Sequence, residues 1–390
     1  MKRFFILILL VAAAFVPISF VHAAAKLEIS GWIPYWKIAS GTAEVSAHLT
    51  TFKEINPFGY SVRADGTLAD TAKLAQEPWL SLQKSAQAKK IRYIPTLMWS
   101  DGEAIHKILS DDTSRRALAQ RIADLVKEKG YDGIDIDFEG KKAETKEYFA
   151  TFLKGLYMRM GNKWVMCSIE ARTPLDSRYE GTPPASATMY ANDFVAINKY
   201  CDRVRLMAYD QRTFDVKLNK AGAGPYIPVS DTAWVEKVVN LAAKDIKKSK
   251  LVIGIPTYGH EYAVTPLADG KFKYDRKWAF NPQYAFDLIA KYQPVVSRNR
   301  AGEMSFTYVP VVEPVSTPAG ADPTTVEGAP NASASSGVSA APAYHIVWWS
   351  DAKAIEEKIN LAKKLGVKGV ALFKIDGAQD QSLWEILKKI

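Results

Sequence analysis

Four acids stand within eight residues, at Asp132, Asp135, Asp137 and Glu139, and the last three alternate with Ile136 and Phe138. Alternation of period two marks a strand whose odd positions share one face. Asp135, Asp137 and Glu139 are therefore expected as a column of carboxylates, with Ile134, Ile136 and Phe138 packing on the other side. Such a column is costly to bury, because like charges so spaced cannot all ionise freely. Three uses compete: a solvated edge strand, a hard-cation site, and a carboxyl pair with pKa values pushed apart. Large apolar partners and a mid-chain position argue against the edge strand. One strand projecting acids along a line does not build the converging oxygen cage a hard cation needs. The third use fits best, with one acid held protonated beside an ionised neighbour, and it points to glycoside hydrolysis.

Short apolar runs at 27–36, 54–62, 91–99, 133–139, 164–171, 204–210, 251–258 and 367–375 must position these acids. Amphipathic stretches at 114–129, 145–160, 232–247 and 352–365 lie between them. Lys129-Gly130 and Leu365-Gly366 read as helix ends ahead of strands. The fold class is α/β, and the alternation predicts a closed (β/α)8 barrel. An open doubly wound sheet is the runner-up. It wants a Gly-rich phosphate turn after the first strand, and Gly31-Trp32-Ile33-Pro34-Tyr35-Trp36 is not one. The barrel takes residues 26–260 and 350–390, leaving 261–349 as a small α+β insertion. Within it, 274–292 reads as a loop into a helix, 304–312 as a strand and 344–349 as its partner. Residues 313–342 are rich in Pro, Ala, Ser, Thr and Gly, and read as a mobile loop.

Residues 1–25 read as a signal peptide: Lys2 and Arg3, an apolar run to Val21, then small residues. An uncleaved membrane anchor is the alternative, and either way the protein is expected outside the cytoplasm or at the cell envelope. The formal charge is +9, and loss of Lys2 and Arg3 leaves about +7. A basic exported protein is attracted to anionic wall polymers or membrane surfaces, although simple solubility explains the charge as well. No nucleic-acid motif is present and the lysines are scattered over amphipathic helices, so no nucleic-acid partner is expected. Cys167 sits in an apolar strand-like run and is expected as a lone buried thiol rather than a partner of Cys201. The five His residues show no metal-ligand spacing, and no metal or other cofactor is implied.

The rule that barrel chemistry sits at the C-terminal ends of strands selects Glu139, Tyr209, Asp210 and Tyr258. Asp132 to Glu139 resembles the DGxDxDxE signature of family 18 glycoside hydrolases, a family of chitinases and related N-acetylglucosaminidases. Met207-Ala208-Tyr209-Asp210 and Gly254-Ile255-Pro256-Thr257-Tyr258-Gly259 are similar to the same family's motifs on the sixth and seventh strands. The resemblance runs from about Leu27 to the C-terminus and includes the insertion after the seventh strand. It implies a substrate-assisted retaining mechanism, an exception to the two-carboxylate rule. Glu139 would protonate the glycosidic oxygen. Asp137 would orient the substrate's 2-acetamido group, whose carbonyl attacks the anomeric carbon. Asp135 would sit behind, sharing a proton or hydrogen bond with Asp137. Tyr209, Asp210 and Met207 would hold the sugar, and Tyr258 is either a sugar contact or core. Residues two apart on a strand lie about 6–7 Å from one another, so Asp137 can turn either to Glu139 or to the substrate.

Tyr35, Trp36, Phe58, Trp99 and Phe373 end strands and offer flat faces for sugar rings, though packing explains any one of them equally well. Tyr60 is a weaker candidate of the same kind. Departures from the family bear on substrate. The third strand lacks the S-x-G-G of chitinases, Phe373 stands where a Trp is usual, and His260 where Arg is common. They lean towards the branch resembling spore-cortex and cell-wall glucosaminidases, without a wall-binding module. Glu170 could line the cleft or pair with Arg172 or Arg205. The expected partner is thus an N-acetylglucosamine-containing polysaccharide, peptidoglycan or chitin, bound by a monomer. A non-catalytic lectin on the same barrel, and a metal-dependent hydrolase, are the competing functions.

Overall fold

The computed structural model describes residues 26–268, 270–311, 344–377 and 379–390. The expected signal peptide and the expected loop at 313–342 lie outside the described residues.

The apolar runs become strands β1 (Glu28–Pro34), β2 (Glu54–Val62), β3 (Thr96–Trp99), β4 (Gly133–Phe138), β5 (Trp164–Glu170), β6 (Arg203–Met207) and β7 (Leu251–Pro256). The chain then makes β8 (Gly259–Pro266), β9 (Phe272–Phe280), β10 (Met304–Tyr308) and β11 (Tyr344–Trp349) before β12 (Gly369–Phe373). Parallel pairing runs from β1 through β7 to β12 and back to β1, which closes an eight-stranded barrel. Helices such as Asp112–Glu128, Lys146–Met160 and Ala352–Leu365 cover it. The last is stopped at both ends by local chemistry. Asp351 accepts the Ala354 N–H, and Gly366 takes φ 67°, which a side chain would resist.

The period-two pattern of β4 sorts its residues as expected. Ile134, Ile136 and Phe138 join the layer between strands and helices, where Phe138 stacks on Phe152 at 5.5 Å. Asp135 and Asp137 turn into the barrel. Gly133 starts β4 because a Cβ there would stand 2.2 Å from the Trp164 carbonyl oxygen.

Four findings differ from the sequence reading. The run at 91–99 splits into Arg92–Tyr93 and β3, since Pro95 has no N–H to donate to a ladder. Residues 274–292 are not a loop into a helix: β9 pairs antiparallel with β8 before the helix Pro282–Tyr292 begins. Lys273, Asp275, Arg276 and Lys277 on this exposed edge strand conceal the alternation. A short strand, Leu68–Asp70, pairs back on β2. Cys167 is not a lone thiol. It is bonded to Cys201, with Cα atoms 6.0 Å apart and a separation of 34 positions in sequence. Register explains it, because Cys167 pairs with Val204 and so lies beside the turn that leads into β6.

Strands β8 to β11, with Ser297–Arg298, form a second five-stranded sheet. Two buried or half-buried contacts lock it to the barrel. Arg298 clasps Asp351 at 2.6 and 2.9 Å, and the buried Glu303 accepts the N–H groups of Val229 and Ser230 at 2.9 and 2.8 Å. The second clasp holds the segment after β6, and with it the rim of the cleft described below.

Closing a loop of this length should stabilise by about 3–4 kcal/mol. Cys167→Ala/Cys201→Ala is therefore expected to melt several degrees below the oxidised wild type and to be indifferent to reductant. Equal melting temperatures by calorimetry would show that the bridge contributes nothing.

Candidate active site

Asp135 is fully buried, and its side chain is surrounded by donors from four other strands. Trp32 Nε1 donates at 3.1 Å, Thr96 Oγ1 at 2.8 Å and Ser168 Oγ at 2.9 Å, and Arg205 Nη1 lies 2.8 Å away. Arg205 also bonds the buried Glu54, which Asn56 and Arg92 hold in turn. Burial lifts the Asp135 carboxyl to about 6, against the pull of these hydrogen bonds, so it is ionised at neutral pH. All its oxygens are engaged, and no hydrogen bond joins it to Asp137. The expected proton-sharing between 135 and 137 is replaced by a fixed anion held from the lumen side.

Asp137 is 4% exposed, and its Oδ1 is buried without a hydrogen-bond partner. Burial pushes its carboxyl well above the ordinary range, and Glu139 and then Asp135 add repulsion. Glu139 is raised as well, by burial first and then by Glu170. Its backbone N–H donates to the Trp99 carbonyl at 2.8 Å, which fixes where its side chain starts. Two adjacent carboxyls, both resisting ionisation, share protons as a pair.

Glu139 opens into a cleft of about 240 Å3 lined also by Glu170, Met207, Tyr209, Asp210 and Arg212. Asp210 adopts φ 53°, an unusual left-handed setting for a non-Gly residue at the end of the sixth strand's run. Hydrogen bonds from Gln211 and Arg212 N–H to Val229 and Pro228 hold that turn. Asp210 Oδ1 accepts the Tyr258 hydroxyl at 2.7 Å and faces His260 Nε2 at 3.3 Å. Burial lowers the His260 ring to about 4, so it is neutral at pH 7. Tyr258 is buried, and acts on the cleft through Asp210 rather than by offering a free face.

The aromatic candidates divide. Tyr209 stacks on Phe373 with centroids 5.2 Å apart, and Phe373 meets Tyr258, Trp32 and Phe58 edge-on. Phe58 continues to Trp36 and Trp36 to Tyr35, and the last two are exposed by 47% and 36%. One aromatic row therefore runs from the rim towards the carboxyls of β4. Trp99 is not part of it. It is buried edge-on against Phe138 in the helix-facing core, because it falls on the outward phase of β3. Tyr60 is likewise in the core, bonded to the Tyr131 hydroxyl.

The cleft and the aromatic row sit at the C-terminal ends of the barrel strands, around the motif acids. The sequence profile of "Glycosyl hydrolases family 18" matches residues 32–378. The chain belongs to glycosyl hydrolase family 18. It is a glycoside hydrolase, and its relatives are glycosylases. It is 24% identical to the uncharacterized glycosylase YvbX of Bacillus subtilis, over 74% of this chain and 70% of that one. It is 23% identical to the B. subtilis cortical fragment-lytic enzyme, over 91% and 71%. Among solved structures, a Chromobacterium violaceum chitinase superposes with a TM-score of 0.69 at 17% identity, covering 93% of this chain and 98% of that one. The spore cortex-lytic enzyme SleL of Bacillus megaterium gives 0.67 at 22%, covering 93% and 73%. At these identities the superpositions speak for the fold.

Glu170 lines the cleft, the first of the two uses expected for it, and pairs with neither Arg172 nor Arg205. It accepts the Gly140 N–H at 3.0 Å and Asn192 Nδ2 at 2.7 Å, and it lies 3.7 Å from Lys141 Nζ. Lys141 is the residue that escaped the sequence reading. Its side chain is 1% exposed, it donates to the Phe138 carbonyl, and it lies over the Phe149 ring at 4.8 Å. A buried lysine two residues beyond Glu139 was a legible signal, but a third Lys-rich turn among many did not stand out. Its charge lowers the carboxyls of both Asp137 and Glu139. Lys141→Met removes that cation, so both limbs of the pH–rate profile should move to higher pH, by on the order of one unit. A profile superimposable on wild type would mean that Lys141 only packs.

Proposed function

We propose that this family 18 enzyme is an exported glycosidase that cleaves β-1,4 linkages of an N-acetylglucosamine-containing polysaccharide, peptidoglycan or chitin, by substrate-assisted retention. The observation that carries the reading is the orphaned, buried Oδ1 of Asp137 beside the proton-retaining Glu139. An unpartnered buried acceptor is expensive, and a substrate amide N–H would satisfy it.

In the first step Glu139 gives its proton to the glycosidic oxygen and the bond to the leaving sugar breaks. The acetamido carbonyl oxygen bonds to the anomeric carbon in its place, forming an oxazolinium ion. Asp137 accepts the amide N–H and stabilises the positive charge that develops there. Asp135 stays ionised at neutral pH and contributes its charge without moving. Glu139, now a carboxylate, takes a proton from water, which opens the ring from the face the leaving group used, so the anomeric configuration is retained. Tyr209 and Asp210 hold the acetamido group and hydroxyls of the sugar over Phe373, with Met207 beside them. Tyr258 orients Asp210. Tyr35, Trp36 and Phe58 extend the stacking row for neighbouring sugars. The likeness to cortex-lytic enzymes, along with the departures from chitinase sequence patterns, supports a wall glycan. The basic charge supports residence in the envelope, near anionic polymers, as a monomer.

Glu139→Gln should cost roughly 100- to 10,000-fold in kcat on either glycan while leaving binding to it nearly intact. Asp137→Asn should lose comparably, since an amide oxygen can still accept the N–H but lacks the negative charge that stabilises the developing cation. Product anomers read by NMR just after cleavage should be β. Failure of the wild type to hydrolyse any N-acetylated glycan, with binding kept, would favour the lectin.

A further inference from the structure

A concavity of about 530 Å3 lies nowhere near Glu139. It lies at the opposite end of the barrel, between the start of β1, the turn into β2 and the C-terminal helix, and four lysines line it: Lys26, Lys53, Lys368 and Lys388. Parallel topology explains why they gather. Each strand is entered from this end, and a lysine stands just ahead of every one. Lys26, Lys53, Lys90 and Lys129 precede β1 to β4, and Lys163, Lys199, Lys250 and Lys368 precede β5, β6, β7 and β12. Lys247, Lys248 and Lys389 add to the same end. Lysines read as scattered along the sequence thus converge on one face.

Helix C-termini favour cations, and that accounts for the lysines in last turns. It does not account for Lys53, Lys163, Lys247, Lys248 and Lys368, which stand in the loops beyond the helix ends. Lys368, Lys129 and Lys388 pair with Glu28, Glu128 and Glu385, but among the described residues no acid pairs with Lys26, Lys53, Lys247 or Lys248. Other acids at this end are already committed. Glu28 binds Arg92, Arg203 and Lys368, Glu54 binds Arg92 and Arg205, and Asp202 accepts the Val165 N–H. Lys250 spends its hydrogens on the Asn198 and Cys201 carbonyls, which leave its charge in place. Its ammonium is held below the ordinary value, by burial first, with Lys247 and Arg203 repelling it against the pull of Asp202.

We propose that this basic face is a docking surface for an anionic phospholipid membrane, on which the enzyme rests with its cleft turned away. Two observations select a membrane over a soluble polyanion. The charges are spread across the whole end of the barrel rather than along a groove that would track one chain. The described chain also begins on this face, at Lys26, and the apolar run Phe4–Val21 precedes it in sequence. This docking does not depend on the catalytic assignments.

The test uses the exported protein, with vesicles of equal parts phosphatidylglycerol and phosphatidylcholine against pure phosphatidylcholine. Wild type should cosediment with the anionic vesicles and fall off as salt rises. Each lysine at a membrane surface contributes roughly fivefold, so Lys53→Glu/Lys247→Glu/Lys248→Glu/Lys389→Glu should lose more than about a hundredfold. Any retained apolar leader inserts into both compositions, so the anionic-to-neutral ratio reads the face alone. Hydrolysis of a soluble chitooligosaccharide should be unchanged in the variant, which shows that it folds. Equal binding by the variant, no preference of wild type for anionic vesicles, or binding to soluble polyglycerol phosphate but not to vesicles would each overturn the proposal.

Discussion

A single buried anion organises the barrel. Asp135 cannot be hydrated where it lies, so its charge has to be met by the protein, and the donors come from β1, β3, β5 and β6. Arg205 carries the compensation on to Glu54 of β2, and so six consecutive strands share one polar network across the lumen. Removing one partner from a buried charge costs roughly 3–5 kcal/mol, which makes this cluster sensitive to any change in register. The same cluster sets the field in which the two residues above it titrate. Asp137 sits one step up the strand from a fixed negative charge and cannot readily acquire its own.

That stacking of charge needs a counterweight, and Lys141 supplies it. The ammonium is buried beside Glu170, under the carboxyls it acts on, where screening by water is weak. Glu170 in turn ties the Gly140 N–H and Asn192 to the end of β5. The turn after the motif is therefore not a slack connection but a second layer that holds Glu139 at the cleft mouth. The insertion works on the other wall. Through Glu303 it grips the Val229–Ser230 backbone, whose neighbours in turn fix the left-handed turn at Asp210.

Much of this was legible in sequence. The period-two acids placed β4 and its facing, and they named Glu139 and Asp137 without a structure. The helix ending at Gly366 and the strand at 344–349 were read almost to the residue. What failed shares a physical cause. Trp99 was assigned to the cleft because it ends a strand, yet which side a residue faces depends on the phase of the strand, and Trp99 shares the outward phase of Ile91, Tyr93 and Leu97. Strand β9 was overlooked because an exposed edge carries charge on both faces.

Local order, then, is what the chain alone determined: which segments extend, which coil, and which acids must be held against their preference to ionise. Those follow from the periodicity and chemistry of residues within a few positions of one another. Juxtaposition was decided only by closure of the barrel. The Cys167–Cys201 bond, the Arg205 bridge from Asp135 to Glu54, the contact of Lys141 with Glu170 and the gathering of lysines at one end all join residues distant in sequence. No local pattern encodes such contacts, because they depend on the register and direction of strands that meet only when the ring is complete.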